Sequence, residues 1–169
     1  MKQHEEQERL RRDAGQASVS SADAAWEITI PPSVRVTADW LGDQISAAAE
    51  QNDYPALLRF TRDRAFVLLN YFCMDDLGEI SRLRFPDVSF SASALQIGGC
   101  RRKSIPASDS RFCPVAALRA WLLLSGIENG PIFRRVRNNG QLSREALFPG
   151  DLKNVFQQCA WLAKACNAP

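Results

Sequence analysis

The sequence predicts a mainly helical α+β fold, in which a helix bundle carries a small three-stranded antiparallel sheet. Apolar residues recur at helical spacing on both sides of residues 88–107, and within that range three short pieces alternate apolar and polar residues between Ser or Gly turns. The chain has 169 residues, of which 46% are hydrophobic and 24% charged, so one domain can bury a core without disulfide or metal support. No stretch approaches the roughly 18 apolar residues of a membrane helix, so we expect a soluble, cytoplasmic protein with no membrane partner.

Residues 1–25 and residues 26–169 differ in composition. The first segment mixes both charges with Ala, Ser, Gly and Gln and offers little to bury, so we expect a flexible N-terminal tail. The ordered domain is expected to start at Trp26, where WEITI is typical of a short extended piece. Pro31 and Pro32 close this piece, because proline cannot continue a strand ladder.

Three helices are predicted before the sheet. The first has Thr37 as its N-cap and ends at Asn52. The second starts near Pro55 and runs to Cys73 with a wide apolar stripe, which indicates the central buried helix. The third is the short segment LGEISRLRF, which Pro86 stops.

Two helices are predicted after the sheet. One begins at Pro114, directly after Cys113, and ends at Gly126, a residue suited to a helix C-terminus. PIFRRV then indicates a short extended piece, followed by an NNG turn. Pro149 opens the last helix, whose apolar stripe comprises Leu152, Val155, Phe156, Cys159, Leu162, Ala163 and Cys166.

The opposite face of the last helix is predicted to carry Lys153, Gln157 and Lys164. Both Trp121 and Trp161 are assigned to apolar stripes, and therefore to the core or an interface before any role in base stacking.

The cysteines are predicted to be reduced core thiols. They are odd in number, widely scattered, mostly set in apolar stretches, and no pair has the spacing of zinc ligands. We therefore expect no cofactor and no metal site. The five are Cys73, Cys100, Cys113, Cys159 and Cys166.

The two parts of the chain carry opposite net charge. Residues 1–100 hold ten Lys or Arg against fifteen Asp or Glu, a net −5, while residues 101–169 hold eleven against four, a net +7. Charge separated in this way indicates a surface for a polyanion such as nucleic acid, although a solvated face without a partner has the same composition.

The candidate DNA contacts all lie in the basic part of the chain. Contacts to phosphates add salt-dependent affinity and carry no sequence information, so the set predicts weak, nonspecific DNA binding. Gln157 and Gln158 could read base edges, or could only solvate an exposed helical face. The basic candidates are Arg101, Arg102, Lys103, Arg134, Arg135, Arg137, Lys153 and Lys164.

The order of these elements, and several phrases within it, resemble the catalytic domain of the tyrosine recombinases, the phage integrase family. The resemblance covers about residues 55–169 and implies the first part of such a domain. Its pieces are RDRAFVLLNYF at 62–72, GEISRLRFPDVSF at 78–90, the sheet at 94–107, CPVAALRAWLLLSGIENGPIFRRV at 113–136 and the helix from 147.

The resemblance also implies a reaction, in which a tyrosine attacks a DNA phosphodiester while arginines, a hairpin lysine and histidines stabilise the phosphate. Aligned through Glu79, this chain has Asp76 where the family has its first arginine, which replaces an attraction for the phosphate by a repulsion. No His-x-x-Arg is present, and His4, Tyr54 and Tyr71 are the only histidine and tyrosines. We therefore expect no catalytic residues, and Asp76 and Glu79 mark vestigial positions.

Two further readings of these positions stay open. Lys103 could take the role of the family's hairpin lysine, or could be a solvated loop charge like Arg101 and Arg102. Asp75, Asp76 and Glu79 could converge on Mg²⁺, although carboxylates also favour helix N-termini for dipole reasons alone.

The resulting functional expectation is a recombinase-like protein associated with DNA recombination and integration of a mobile genetic element. It is expected to be catalytically inactive and to retain at most DNA binding. The alternatives are a protein-interaction module that pairs with an active recombinase subunit or with itself, and a fragment of an interrupted integrase gene. For the interaction module, surfaces that the rest of a recombinase domain normally covers would expose Val155, Phe156 and Leu162.

Overall fold

The computed structural model describes residues 30–73, 77–98 and 103–166. The predicted N-terminal tail therefore lies outside the described residues. Within them, no helix is long and apolar enough to cross a membrane. The elements are α1 (Pro32–Glu50), α2 (Tyr54–Cys73), α3 (Leu77–Arg82), a 3₁₀ turn (Phe85–Asp87), β1 (Val88–Phe90), β2 (Ala94–Ile97), β3 (Lys103–Pro106), α4 (Pro114–Ser125), β4 (Arg134–Val136), β5 (Leu142–Ala146) and α5 (Pro149–Cys166).

Helix α2 forms the centre of the hydrophobic core, as predicted. Its Leu58, Phe66 and Leu68 are all but fully buried. Helices α1 and α4 both pack against α2, and α5 packs against α1 and α3. The ring of Phe66 meets that of Phe133 edge to face, with centroids 5.8 Å apart. The loop before β4 is thereby joined to the core.

The three-stranded antiparallel sheet is confirmed. Strand β2 lies between β1 and β3 and pairs antiparallel with both. Leu95 is paired with Ile105, and both are buried. Gln96 and Ser104 face solvent on the other side, where Gln96 Nε2 donates to Ser104 Oγ at 2.8 Å. The mainly helical α+β class predicted from the sequence is therefore correct.

Strand β5 forms with β4 a second, two-stranded sheet that the sequence did not predict. Of the predicted PIFRRV extension, the structure has Arg134–Val136 as strand β4, and the predicted NNG turn is confirmed at 138–140. Arg134 pairs with Ala146 and Val136 pairs with Leu142, so two residue steps along β4 correspond to four residue steps along β5. Ser143 Oγ fills this bulge by accepting from the Arg135 amide and donating to the Glu145 carbonyl. A strand interrupted in this way lacks the alternation that identifies strands in a sequence.

Helix α1 begins at Pro32, so the prediction that Thr37 caps it was wrong. Thr37 lies inside the helix, is 1% exposed, and its hydroxyl donates to the Ser33 carbonyl at 2.7 Å. Proline in the first turn suits a helix because its φ is already helical and its missing N–H has no intrahelical acceptor there. Helix α3 also ends earlier than predicted, at Arg82.

The expected exposed patch on α5 was also wrong. Val155, Phe156 and Leu162 are partly buried and pack against the core. The reason is that α1 and α3 lie against α5 and cover this side. Leu152, Cys159 and Ala163 are buried as predicted, and Cys113 is buried at the start of α4, whereas Cys166 is exposed. Cys100 lies outside the described residues.

Gly126 ends α4 in the left-handed conformation, with φ 64°, as expected for a helix C-terminus. We expect Gly126→Ala to lower the free energy of unfolding by about 1 kcal/mol, because a Cβ is strained at this φ even in open space. Gly150→Ala is the matched control, since Gly150 has open space within helix α5 and no such φ. It should raise stability by about 0.5 kcal/mol. Urea denaturation followed by circular dichroism measures the free energy of unfolding of both variants. Equal effects of the two substitutions would contradict the role of the left-handed conformation at Gly126.

Candidate nucleic-acid interface

The solvent face of α5 is basic and polar. Successive residues of a helix are about 100° apart, so Lys153 and Lys164 lie about 20° apart around the axis and about 16 Å apart along it. Both lysines are exposed, as are Asn154, Gln157 and Gln158. The predicted availability of Lys153, Gln157 and Lys164 is thus confirmed. Asp151 in the first turn is the only acidic residue of the helix.

Trp161 lies at the centre of this face, which corrects its assignment to the apolar stripe. It follows Leu152 by nine residues, or about two and a half turns, and so projects opposite the buried side. Its side chain is 68% exposed, whereas Trp121 is fully buried. The neighbours of Trp161 one turn away include Gln157, Gln158 and Lys164.

The hairpin of β4 and β5 adds cations next to the N-terminal end of α5. Arg135 and Arg137 are exposed on and just after β4, and Arg144 is exposed on β5. The Arg135 guanidinium lies 3.7 Å from a carboxylate oxygen of Asp151, which places the hairpin against the first turn of α5. Both partners of this ion pair are solvated, so it contributes little to stability.

The Arg134 side chain is turned toward its own backbone. Its Nε donates to the Pro131 carbonyl at 2.7 Å, and its terminal nitrogen donates to the Asn129 carbonyl. Burial lowers the pKa of Arg134, and the charge of Arg84 lowers it further. The guanidinium nevertheless keeps its charge. It therefore contributes to the positive field of the hairpin while holding the turn before β4.

A buried ion pair fixes the hairpin to α2. Arg62 and Asp63 are only 6% and 9% exposed, and Arg62 Nε donates to the Asp63 carboxylate at 2.7 Å. The same guanidinium donates to the Arg134 carbonyl at 3.1 Å. Burial raises the pKa of Asp63 against the opposing influence of Arg62. Burial and the charge of Asp63 raise the pKa of Cys159 to about 12, so this thiol is inert.

The structure leaves the rest of the predicted site mostly undescribed. Asp76, Arg101 and Arg102 lie outside the described residues. Lys103 is partly buried as the first residue of β3, and Glu79 is exposed in the first turn of α3. In the described ranges, no group of three His, Cys, Asp or Glu side chains is placed to hold a metal ion.

Two residues of this surface were missed by sequence reasoning. The position of Trp161 could have been found by counting turns from Leu152 instead of by hydrophobicity. Arg144 gave no such signal, because it sits in the bulged strand. No protein-family model matches this chain, and no curated protein matches it significantly.

Proposed function

We propose that this chain is a recombinase-related DNA-binding protein that holds DNA without cutting it. The observation that carries the proposal is the exposed face of α5, where two lysines frame amide side chains and no carboxylate follows Asp151. The arginines of the β4–β5 hairpin extend this positive surface. The resemblance of residues 55–169 to tyrosine recombinases supports the same assignment.

The spacing of the cations suits a phosphate backbone. Lys153 and Lys164 are separated by about 16 Å along α5, which corresponds to about five base-pair steps of rise along a duplex axis. Each ammonium group can neutralise a phosphate and release a counterion, so affinity is gained without recognition of sequence. Gln157 and Gln158 lie between the lysines, where amide groups can hydrogen-bond base edges. The proposed binding is thus weak and strongly salt-dependent.

The absence of strand cutting is proposed from the tyrosines. Tyr54 directs its hydroxyl to the Leu124 carbonyl at 3.3 Å. Tyr71 is partly buried on α2, and its ring meets Phe72 at a centroid distance of 5.2 Å. A nucleophile requires an adjacent base or a cationic pocket. Neither tyrosine lies on the α5 face, and Tyr54, whose ring borders Gly140 in the β4–β5 turn, has its hydroxyl bonded to a backbone carbonyl of α4.

Neutralising both lysines tests the proposal. We expect Lys153→Gln combined with Lys164→Gln to weaken duplex DNA binding and to reduce the slope of log affinity against log salt by about two. The matched control is Lys153→Arg combined with Lys164→Arg, which keeps both charges and should keep the slope. Fluorescence anisotropy with labelled duplex DNA between about 50 and 200 mM salt measures the affinity and this slope.

Two results would refute the proposed function. One is the absence of any DNA binding by the wild-type chain at low salt. The other is a covalent protein–DNA adduct formed by the purified chain on a suicide DNA substrate.

The second candidate function is a protein-interaction module that pairs with a recombinase subunit or with itself. It is favoured by an open groove of about 320 Å³ between α1, α2 and α4, lined mainly by Ile45, Leu57, Ala117, Ala120 and Leu124. A salt-insensitive dimer in sedimentation experiments, together with no DNA affinity, would select this candidate over DNA binding.

A further inference from the structure

Trp161 is an exposed aromatic ring on a mainly polar surface. Its side chain is 68% exposed, while Trp40 and Trp121 are 8% and 0% exposed. Tyr54 and Phe148 are the other strongly exposed rings among the described residues. Tyr54 is engaged through its hydroxyl with α4, and Phe148 precedes the first turn of α5. Only Trp161 stands within the lysine-framed face.

The residues around Trp161 differ from those that surround an aromatic side chain in the core of a protein interface. The exposed residues one turn away on α5 are Gln157, Gln158, Lys164 and Ala165. The core of a protein interface is depleted in charged groups and apolar around its aromatic anchors. Here two amides and an ammonium group are among the four exposed neighbours of the indole, and polar and cationic groups around an aromatic ring are typical of surfaces that bind nucleic acid strands by stacking and charge.

The accessibility of a base decides which form of DNA this ring can bind. In a duplex each base is covered by its neighbours, so an indole on a helix surface meets only phosphates and groove edges. An unpaired base offers its whole face, and stacking on an aromatic side chain favours any of the four bases. The ammonium groups of Lys153 and Lys164 flank the ring on both sides along α5. They can therefore contact phosphates on either side of a stacked base.

We propose that Trp161 is a stacking platform for an unpaired base and that the α5 face is a site for single-stranded DNA. The inference rests on the proposed DNA-binding function and adds to it a preference for the strand form. It needs no base-specific contact, so the preference extends across sequences. The indole supplies the discrimination between single strand and duplex, and the lysines supply affinity common to both.

Binding of a fluorescein-labelled oligothymidine and of a mixed-sequence hairpin duplex, compared at one low salt concentration, tests the inference. We expect Trp161→Ala to weaken oligothymidine binding about tenfold and to leave duplex binding within about twofold. Trp161→Phe keeps a ring and should retain most of the affinity for oligothymidine. The matched control is Leu123→Ala, which removes another exposed apolar side chain from a different helix and should change neither affinity.

The outcomes separate this inference from the proposed function. Equal losses on both DNA forms, or no loss on oligothymidine, would overturn the stacking role while DNA binding stands. A change of oligomeric state in Trp161→Ala with unchanged DNA affinity would assign the ring to a protein contact and also overturn it. If neither DNA form binds the wild-type chain, the proposed function itself fails.

Discussion

Replacing Trp121 with alanine is expected to lower the free energy of unfolding by about 3–5 kcal/mol. Trp121 is fully buried on α4, and its indole Nε1 donates to the Ile132 carbonyl at 3.0 Å. The substitution leaves a cavity in the core and a buried carbonyl without its donor. Urea denaturation followed by far-ultraviolet circular dichroism measures the loss.

Two variants show which part of the loss belongs to each cause. Trp121→Phe keeps most of the ring volume and removes the indole donor, so we expect a loss of about 1–3 kcal/mol. Trp161→Ala is the same change on the exposed face of α5 and should stay within about 0.5 kcal/mol of wild type. If the two alanine variants lost equal stability, the placement of the two tryptophans would be wrong.

Replacing Arg62 with methionine is expected to cost about 3–5 kcal/mol at neutral pH. The substitution leaves the Asp63 carboxylate buried without its partner and removes the donor to the Arg134 carbonyl. Methionine has a similar length and can fill the space of the side-chain stem. Urea denaturation at several pH values is the measurement.

The pH dependence of this loss follows from Asp63. Burial raises the pKa of Asp63 above its ordinary value of 3.8, so the folded state binds the proton more tightly than the unfolded state does. The stability linked to this group is full below pH 3.8 and is lost as pH rises through the pKa of the folded state. Without Arg62 the pKa of Asp63 rises further, so the deficit of Arg62→Met should be smallest in acid and grow with pH.

A double variant serves as the control for the buried pair. Combining Arg62→Met with Asp63→Asn removes both charges, and we expect it to recover a large part of the lost stability and to abolish this pH dependence. A deficit of Arg62→Met that did not change between acid and neutral pH would show that the carboxylate is solvated.

Much of the fold could be predicted because its signals are local. The start of α4 at Pro114 and its end at Gly126 are set by residues whose backbone preferences act over one turn. The start of α1 was misplaced because proline, which cannot continue a strand, is also favoured in the first turn of a helix; the predicted extended piece before Pro31 lies mostly outside the described residues. Which of these occurs depends on the packing of α1 against α2 and α5.

The candidate site was predictable only in part. The exposure of Lys153 and Lys164 follows from helical geometry alone. Helical geometry does not predict the burial of Arg62 and Asp63 or the partial burial of Arg134. These depend on contacts between α2 and β4, such as the hydrogen bond from Arg62 to Arg134, two residues that are 72 positions apart in the sequence. A sequence pattern identifies charged residues but does not identify the carbonyl groups that they contact.

The ion pair between Arg135 and Asp151 would place the Asp151 carboxylate in competition with any anion that binds the hairpin at Arg135. In the proposed DNA binding, a phosphate that contacts Arg135 would compete with a carboxylate that lies 3.7 Å from the guanidinium. The affinity contributed by Arg135 would then be somewhat smaller than its charge alone suggests, since the solvated pair is itself weak.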